Sequence, residues 1–253
     1  MIRAALIQLK LGDGSKEERL ARALELIDRA GDAGLILLPE LWNVGYLRFE
    51  RYRDEAEPLE GPTISTLAAK ARELGAYILA GSIVEREDER LYNASALISP
   101  RGEPVAAYRK IHLFGYRSKE KELLTPGDRI VVAETELGAL GLSICYDLRF
   151  PELYRAQVDR GAQAFLVVAS WPLARIGHWR LLARVRALEN QCFLLGCNAT
   201  GPGYGGHSLA VSPQGEVLKE TADPEEVLEI ELDLEEVRRA RAEFPVIRDR
   251  VLH

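Results

Sequence analysis

Cysteine, methionine and net charge are what this chain has least of. Its 253 residues include three cysteines and one methionine. The cysteines, Cys145, Cys192 and Cys197, are too few and too odd in number for a disulfide framework, and none shows the CxxC spacing of a zinc site, so no metal is expected. The charge excess is small: 33 Lys plus Arg against 39 Asp plus Glu give a formal charge of -6. A mildly acidic chain has no electrostatic reason to hold a polyphosphate, so no nucleic-acid partner is expected. No apolar run approaches the roughly 18 residues that span a bilayer. The opening MIRAALIQLK lacks the long apolar stretch and small-residue cleavage site of a secretory leader. The expectation is a cytoplasmic protein without a membrane partner.

What is present is a globular composition, 47% hydrophobic and 28% charged. The length favours a single large domain over residues 1–253. Segments 2–9 and 34–39 are short apolar runs, and between them Leu20, Leu24 and Ile27 fall at helical spacing, which predicts a β-α-β unit. Ser15 and Glu18 form an S-x-x-E capping box at the start of that helix. A second helix is predicted after Pro62, with Gly75 as its stop. From 76 to 109 the pattern reads as strands: AYILAGSIVE, a turn-like REDER, LYNASALISP, the RGEP turn and VAAYR. Then come VVAETE and LGLSIC, a helix over 151–160, a strand over 164–170, a helix over 176–190 and a strand over 192–198. Strands near 207–212 and 226–232 and a helix over 234–242 complete the chain. Strands buried on both sides need helices over the sheet faces, so a layered α/β fold is expected. The order suggests two sheets packed together with helices outside; periodicity alone also permits one mixed sheet.

Three reactive side chains sit where strands end: Glu40 after LILLP, Lys110 after VAAYR and Cys145 closing GLSIC. Loops at strand exits build active sites in α/β sheets, and an acid, an ammonium and a thiol are complementary there. A strand-end cysteine is commonly a small packed hydrophobe, and Cys192 and Cys197, inside CFLLGC, are read that way. Cys145 differs because it precedes the helix start FPELYR, where peptide dipoles favour a thiolate and backbone N–H groups can serve an oxyanion. A lone glutamate after proline is usually solvated, but the strand before Glu40 is expected to be buried. A papain-like cysteine–histidine pair would draw on His112, His178, His207 or His253. His112 is read as holding loop backbone, His178 as helix surface or interface, and His207 as a loop contact.

The segments LLPELWNVGY, YRKIHLFGY and ICYDLRFPELYR, in that order, resemble the three signature blocks of the nitrilase superfamily of carbon-nitrogen hydrolases. The likeness runs on through SWPLARIGHWRLLARVRALENQ to FPVIRDR, so it spans essentially the whole chain. By that resemblance the fold is a four-layer αββα sandwich and Glu40, Lys110 and Cys145 match the family's catalytic triad. Glu120 matches its additional glutamate, with Glu122 as the competing register. A homodimer or larger assembly and an absence of any cofactor are also implied.

An amide carbonyl is a poor electrophile, so its cleavage needs a strong nucleophile, a proton acceptor and positive charge at the carbonyl oxygen. The triad supplies these, with a Cys145 thioester as intermediate. The blocks CYDLRFPE and SWP look most similar to the omega-amidase-like branch, whose substrates are small amides bearing a carboxylate. N-carbamoyl amines and nitriles fit the same triad, and a silent binding module on the same fold is the alternative of another class. A substrate carboxylate would need a cation, and Arg149, Arg175, Arg117 and Lys119 lie near the proposed loops. Arg149 could instead pair with Glu152 and brace the helix start. Tyr46, Tyr146, Phe150 and Trp171 are the candidate pocket walls. The expected partners are a small amide and water.

Overall fold

The computed structural model describes residues 1–251; His253 lies outside them. The first half runs β1 (Ile2–Gln8), α1 (Lys16–Asp28), β2 (Leu35–Leu37), α2 (Tyr52–Glu55), α3 (Pro62–Leu74), β3 (Tyr77–Leu79), β4 (Ile83–Glu87), β5 (Arg90–Ile98) and β6 (Pro104–Arg109). The second runs α4 (Glu120–Leu123), β7 (Val132–Thr135), β8 (Gly138–Ile144), α5 (Pro151–Asp159), β9 (Ala164–Ala169), α6 (Ile176–Asn190), β10 (Phe193–Asn198), β11 (Leu209–Val211), β12 (Val217–Glu220), β13 (Glu226–Leu232) and α7 (Glu235–Glu243).

The strands form two mixed sheets. One has the order β13-β1-β2-β3-β5-β4, with β6 on the other edge of β5; the second has the order β12-β11-β10-β9-β8-β7. Alternation along β1 shows how the layers stack. Ala4 and Leu6 pack between the sheets, while Ala5 and Ile7 face the helix layer of α1 and α3. On the far side Tyr154 of α5 and Trp179, Ala183 and Ala187 of α6 cover the second sheet. Each such fully buried large apolar side chain contributes roughly 1.5–3 kcal/mol before chain entropy is set against it. The order of layers is helices, sheet, sheet, helices: the αββα sandwich rather than one mixed sheet. Cys197 sits at the middle of it, its thiol donating to the carbonyls of Ile7 and Leu37 at 3.3 Å each.

Local signals explain the boundaries. Ser15 accepts the Glu18 N–H at 3.2 Å and Glu18 accepts the Ser15 N–H at 2.7 Å, which starts α1. Gly75 stops α3 in the left-handed region. Two readings need correction. AYILAGSIVE is not one strand: it breaks at 80–82 into β3 and β4, which pair with successive stretches of β5. The cause is Gly81, at φ 67°, where a Cβ would stand 2.1 Å from the carbonyl oxygen of Pro39. REDER is not a whole turn either; only Asp88 and Glu89 turn, and its ends extend β4 and β5.

Candidate active site

The chain reverses sharply at Glu40. Its backbone N–H reaches across to Ala169 O at 3.3 Å, at the end of β9, and its carbonyl accepts the Ser170 hydroxyl at 2.7 Å. A residue leaving the first sheet is thus fastened to the second. Lys110 follows β6, and its N–H donates to Asn93 O at 2.9 Å, continuing the β5 ladder. Cys145 follows β8 and opens the 3-10 segment Cys145–Arg149. It holds φ 48°, unusual for a residue with a side chain.

These exits bring the acid, the ammonium and the thiol together. Lys110 Nζ lies 2.8 Å from Glu40 Oε1 and 2.8 Å from Glu120 Oε1, and all three side chains are fully buried. The Cys145 thiol faces Glu40, whose charge acts on it. Glu120, on α4, is the buried member of the two registers, while Glu122 is exposed. The two carboxylates differ in what they have left to accept. Glu120 also takes Asn93 Nδ2 at 3.3 Å, the Tyr46 hydroxyl at 3.2 Å and the Phe114 N–H at 2.9 Å. With Lys110, that fills the roughly four lone-pair positions a carboxylate offers. Glu40 takes Lys110, Asn93 Nδ2 at 2.9 Å and the Ser170 N–H at 2.9 Å, which leaves one position for the thiol.

Electrostatics follow from burial. Desolvation raises Glu40 above the usual carboxylate range, with Lys110 pulling down and Glu120 pushing up. Desolvation also pushes the Cys145 thiol well above its ordinary value, and the charge of Glu40 adds to it. Burial alone would lower Lys110, but the charges of Glu120 and Glu40 overcome it and hold the ammonium well above the ordinary lysine range. At rest the centre is a neutral thiol beside a carboxylate of raised proton affinity and a persistent cation. Lys110 spends two donors on carboxylates and has a third to offer.

A cavity of about 400 Å³ opens above Cys145, of a size suited to a small molecule. Tyr46, Tyr146, Trp171 and Arg149 line it as expected from sequence, as do Arg117 and Arg175; no acidic residue does. Arg149 lies 4.8 Å from the Trp171 ring centroid. Among the described residues, none of these arginines has a carboxylate within 4.0 Å, so Arg149 does not pair with Glu152. Lys119 is exposed and is not part of the wall. Phe150 is not part of it either: its ring stacks on His112, 3.7 Å between centroids. His112 in turn faces Asp147, Nδ1 to Oδ1 at 2.8 Å, rather than the thiol.

Sequence reasoning missed Asn93 and Asp147. Asp147 is fully buried and accepts the Tyr108 hydroxyl at 2.7 Å, the Ile144 N–H at 2.9 Å and the His112 N–H at 3.0 Å. For Asn93 the signal was a polar side chain inside a segment read as a strand, which must find partners if buried; Asp147, in the loop after Cys145, carried no such signal.

Comparison with known proteins bears on this centre. The carbon-nitrogen hydrolase family model matches residues 3–242. The 2-oxoglutaramate amidase of Paenarthrobacter nicotinovorans is 40% identical over 246 residues, 92% of this chain and 84% of that protein. Omega-amidase NIT2 of Xenopus tropicalis is 35% identical over 262 residues, 98% of this chain and 94% of that one. Among solved structures, Saccharomyces cerevisiae Nit3, a member of branch 10 of the nitrilase superfamily, matches with a TM-score of 0.92 at 31% identity, covering 99% of this chain and 97% of that one.

Proposed function

This chain belongs to the carbon-nitrogen hydrolase family, and on that footing we propose that it releases ammonia from the terminal amide of a small carboxylate-bearing substrate, 2-oxoglutaramate or a close analogue. It is an amidase of the omega-amidase-like branch. One observation carries the substrate reading: the cavity over Cys145 is lined by Arg117, Arg149 and Arg175 and by no carboxylate. An anionic group enters such a cavity favourably, and a guanidinium holds a carboxylate with paired hydrogen bonds.

The roles of the side chains follow from their protonation at rest. Cys145 Sγ attacks the amide carbon while its proton passes to Glu40, the one carboxylate with an acceptor position open. The carbonyl oxygen, now anionic, is met by the third donor of Lys110 and by the Tyr146 backbone N–H. Glu40 hands the proton to the amide nitrogen, the C–N bond breaks and ammonia leaves, which makes Cys145 a thioester. Water then gives a proton to Glu40 and attacks the thioester carbon; the C–S bond breaks and the thiol recovers its hydrogen. Glu120 has no free lone pair for this traffic; it holds Lys110 and, through Tyr46, the cavity wall. No step calls for a metal or organic cofactor.

One hydrolase domain over residues 1–253 carries the activity, since both sheets share a core. The chain works in the cytoplasm as a homodimer or larger assembly. Leu181 and Leu188, seven residues apart on α6, are 60% and 55% exposed, which supports burial against a second copy.

The test is ammonia release across succinamate-like amides, neutral amides of equal length, N-carbamoyl amines and simple nitriles, with intact-mass trapping of the acyl-enzyme. Preference for the carboxylate-bearing amides and one adduct at Cys145 are expected. Activity confined to nitriles, or acylation at Cys192, would overturn the assignment.

A further inference from the structure

Asn93 stands in the middle of β5, 1% exposed, directly across the ladder from Lys110. Its Nδ2 donates to Glu40 Oε1 and Glu120 Oε1, the same two oxygens that accept Lys110 Nζ. Among the described residues it is the one uncharged side chain that touches both carboxylates. Its own Oδ1 is buried without a hydrogen-bond partner. Burying an amide oxygen unpaired is unfavourable. An aliphatic side chain at position 93 would avoid that cost, so the arrangement makes sense only if the NH2 end is needed.

That need is visible in the surroundings of Glu40. The groups that face it are Lys110, Glu120 and Cys145, with Tyr46, Tyr52 and Tyr204 farther out. Lys110 is the sole cation among them and is shared with Glu120. A donor to the ionised form of a carboxylate favours that form. A neutral donor does so without a second cation that would compete for the thiolate or the substrate oxygen.

We propose that Asn93 is a positioning residue for the hydrolysis, whose two N–H groups keep Glu40 and Glu120 ionised and aligned about Lys110 and so set the proton affinity of Glu40 against the Cys145 thiol. The proposal rests on Glu40 being the proton acceptor, and the experiment separates the two.

The pH dependence of kcat/KM, and of iodoacetamide alkylation of Cys145 without substrate, is measured for wild type, Asn93→Ala, Asn93→Asp and Glu40→Gln. Losing a hydrogen bond to a charged group raises the proton affinity of Glu40 about 10-fold. The acid limb of both profiles then moves up by about one pH unit in Asn93→Ala, with kcat above the limb reduced less than kcat/KM below it. Asn93→Asp keeps the shape of the side chain but replaces a donor by an acceptor, and its limb moves at least as far. An acid limb unmoved in either folded variant overturns the proposal, as does failure of both variants to fold, which would make Asn93 structural. A wild-type acid limb in Glu40→Gln sinks the underlying assignment of Glu40 instead.

Discussion

The hydroxyl of Tyr108 donates to Asp147 at 2.7 Å, tying the residue two before Lys110 to the residue two after Cys145. The same carboxylate gathers the N–H groups of Ile144 and His112. The exits of β6 and β8, which belong to different sheets, are therefore indexed to each other by a group that touches neither the ammonium nor the sulfur. Asp147→Ala strands several buried donors, each costing about 1–3 kcal/mol. Urea unfolding should show a loss of roughly 3 kcal/mol or more, and Tyr108→Phe a smaller loss of about 1–2 kcal/mol. Equal losses would show that the backbone donors do not depend on this carboxylate.

The pH profile of kcat/KM should rise on an acid limb above the usual carboxylate range, because burial raises Glu40 and only its ionised form accepts the thiol proton. No alkaline fall from Lys110 should appear within the ordinary lysine range, since Glu120 and Glu40 hold the ammonium above it. A fall near neutral pH that disappears in Lys110→Arg would contradict this picture.

Lys110→Met leaves Glu40 and Glu120 facing each other in the interior without a cation. Removing one partner of a buried ion pair costs roughly 3–5 kcal/mol, and losing an oxyanion donor costs turnover about 100-fold or more. Denaturant unfolding at two pH values checks the first figure. The stability deficit should shrink on acidification, because protonation of either glutamate relieves the repulsion; a deficit that grows in acid would rule this out.

Arg149→Ala should raise KM for a carboxylate-bearing amide about 10–100-fold, the worth of a hydrogen-bonded charge, and leave a neutral amide of the same length nearly unaffected. Steady-state kinetics on the matched pair decide it. An equal penalty on both substrates would assign Arg149 to packing over Trp171.

Gly81→Ala adds one methyl group outside the cavity, yet it should impair the reaction. The added carbon would collide with the carbonyl of Pro39, the residue before Glu40, at a backbone angle that disfavours alanine. A stability loss of about 2 kcal/mol or more is expected, together with slower alkylation of Cys145. Unchanged alkylation would mean that the Pro39–Glu40 turn absorbs the methyl without moving the carboxylate.

Much of the molecule was legible because it is written locally. The Ser15–Glu18 capping box, the Pro62 start and the Gly75 stop each concern one turn of chain, and they stand where expected. Glu40, Lys110 and Cys145 were legible as candidates because reactive types at strand ends stand out against apolar runs, and the fold brings the three together. What failed to show depends on contacts between distant residues. Gly81 breaks a strand only because Pro39 passes behind it, and Phe150 turns from the cavity only because His112 offers it a ring to stack on. Asn93 was one polar residue within a predicted strand and Asp147 one of several in the loop after Cys145, and neither stands out until the partners it satisfies are in place.

The acid and the ammonium leave the ribosome before the sulfur, and each half of the centre hangs from a different sheet. The first sheet itself lacks an edge until β13, the last of the described strands in chain order, docks antiparallel along β1. A nascent or truncated polypeptide therefore carries an ordinary cysteine, and hydrolytic power arrives only when the two walls close on each other.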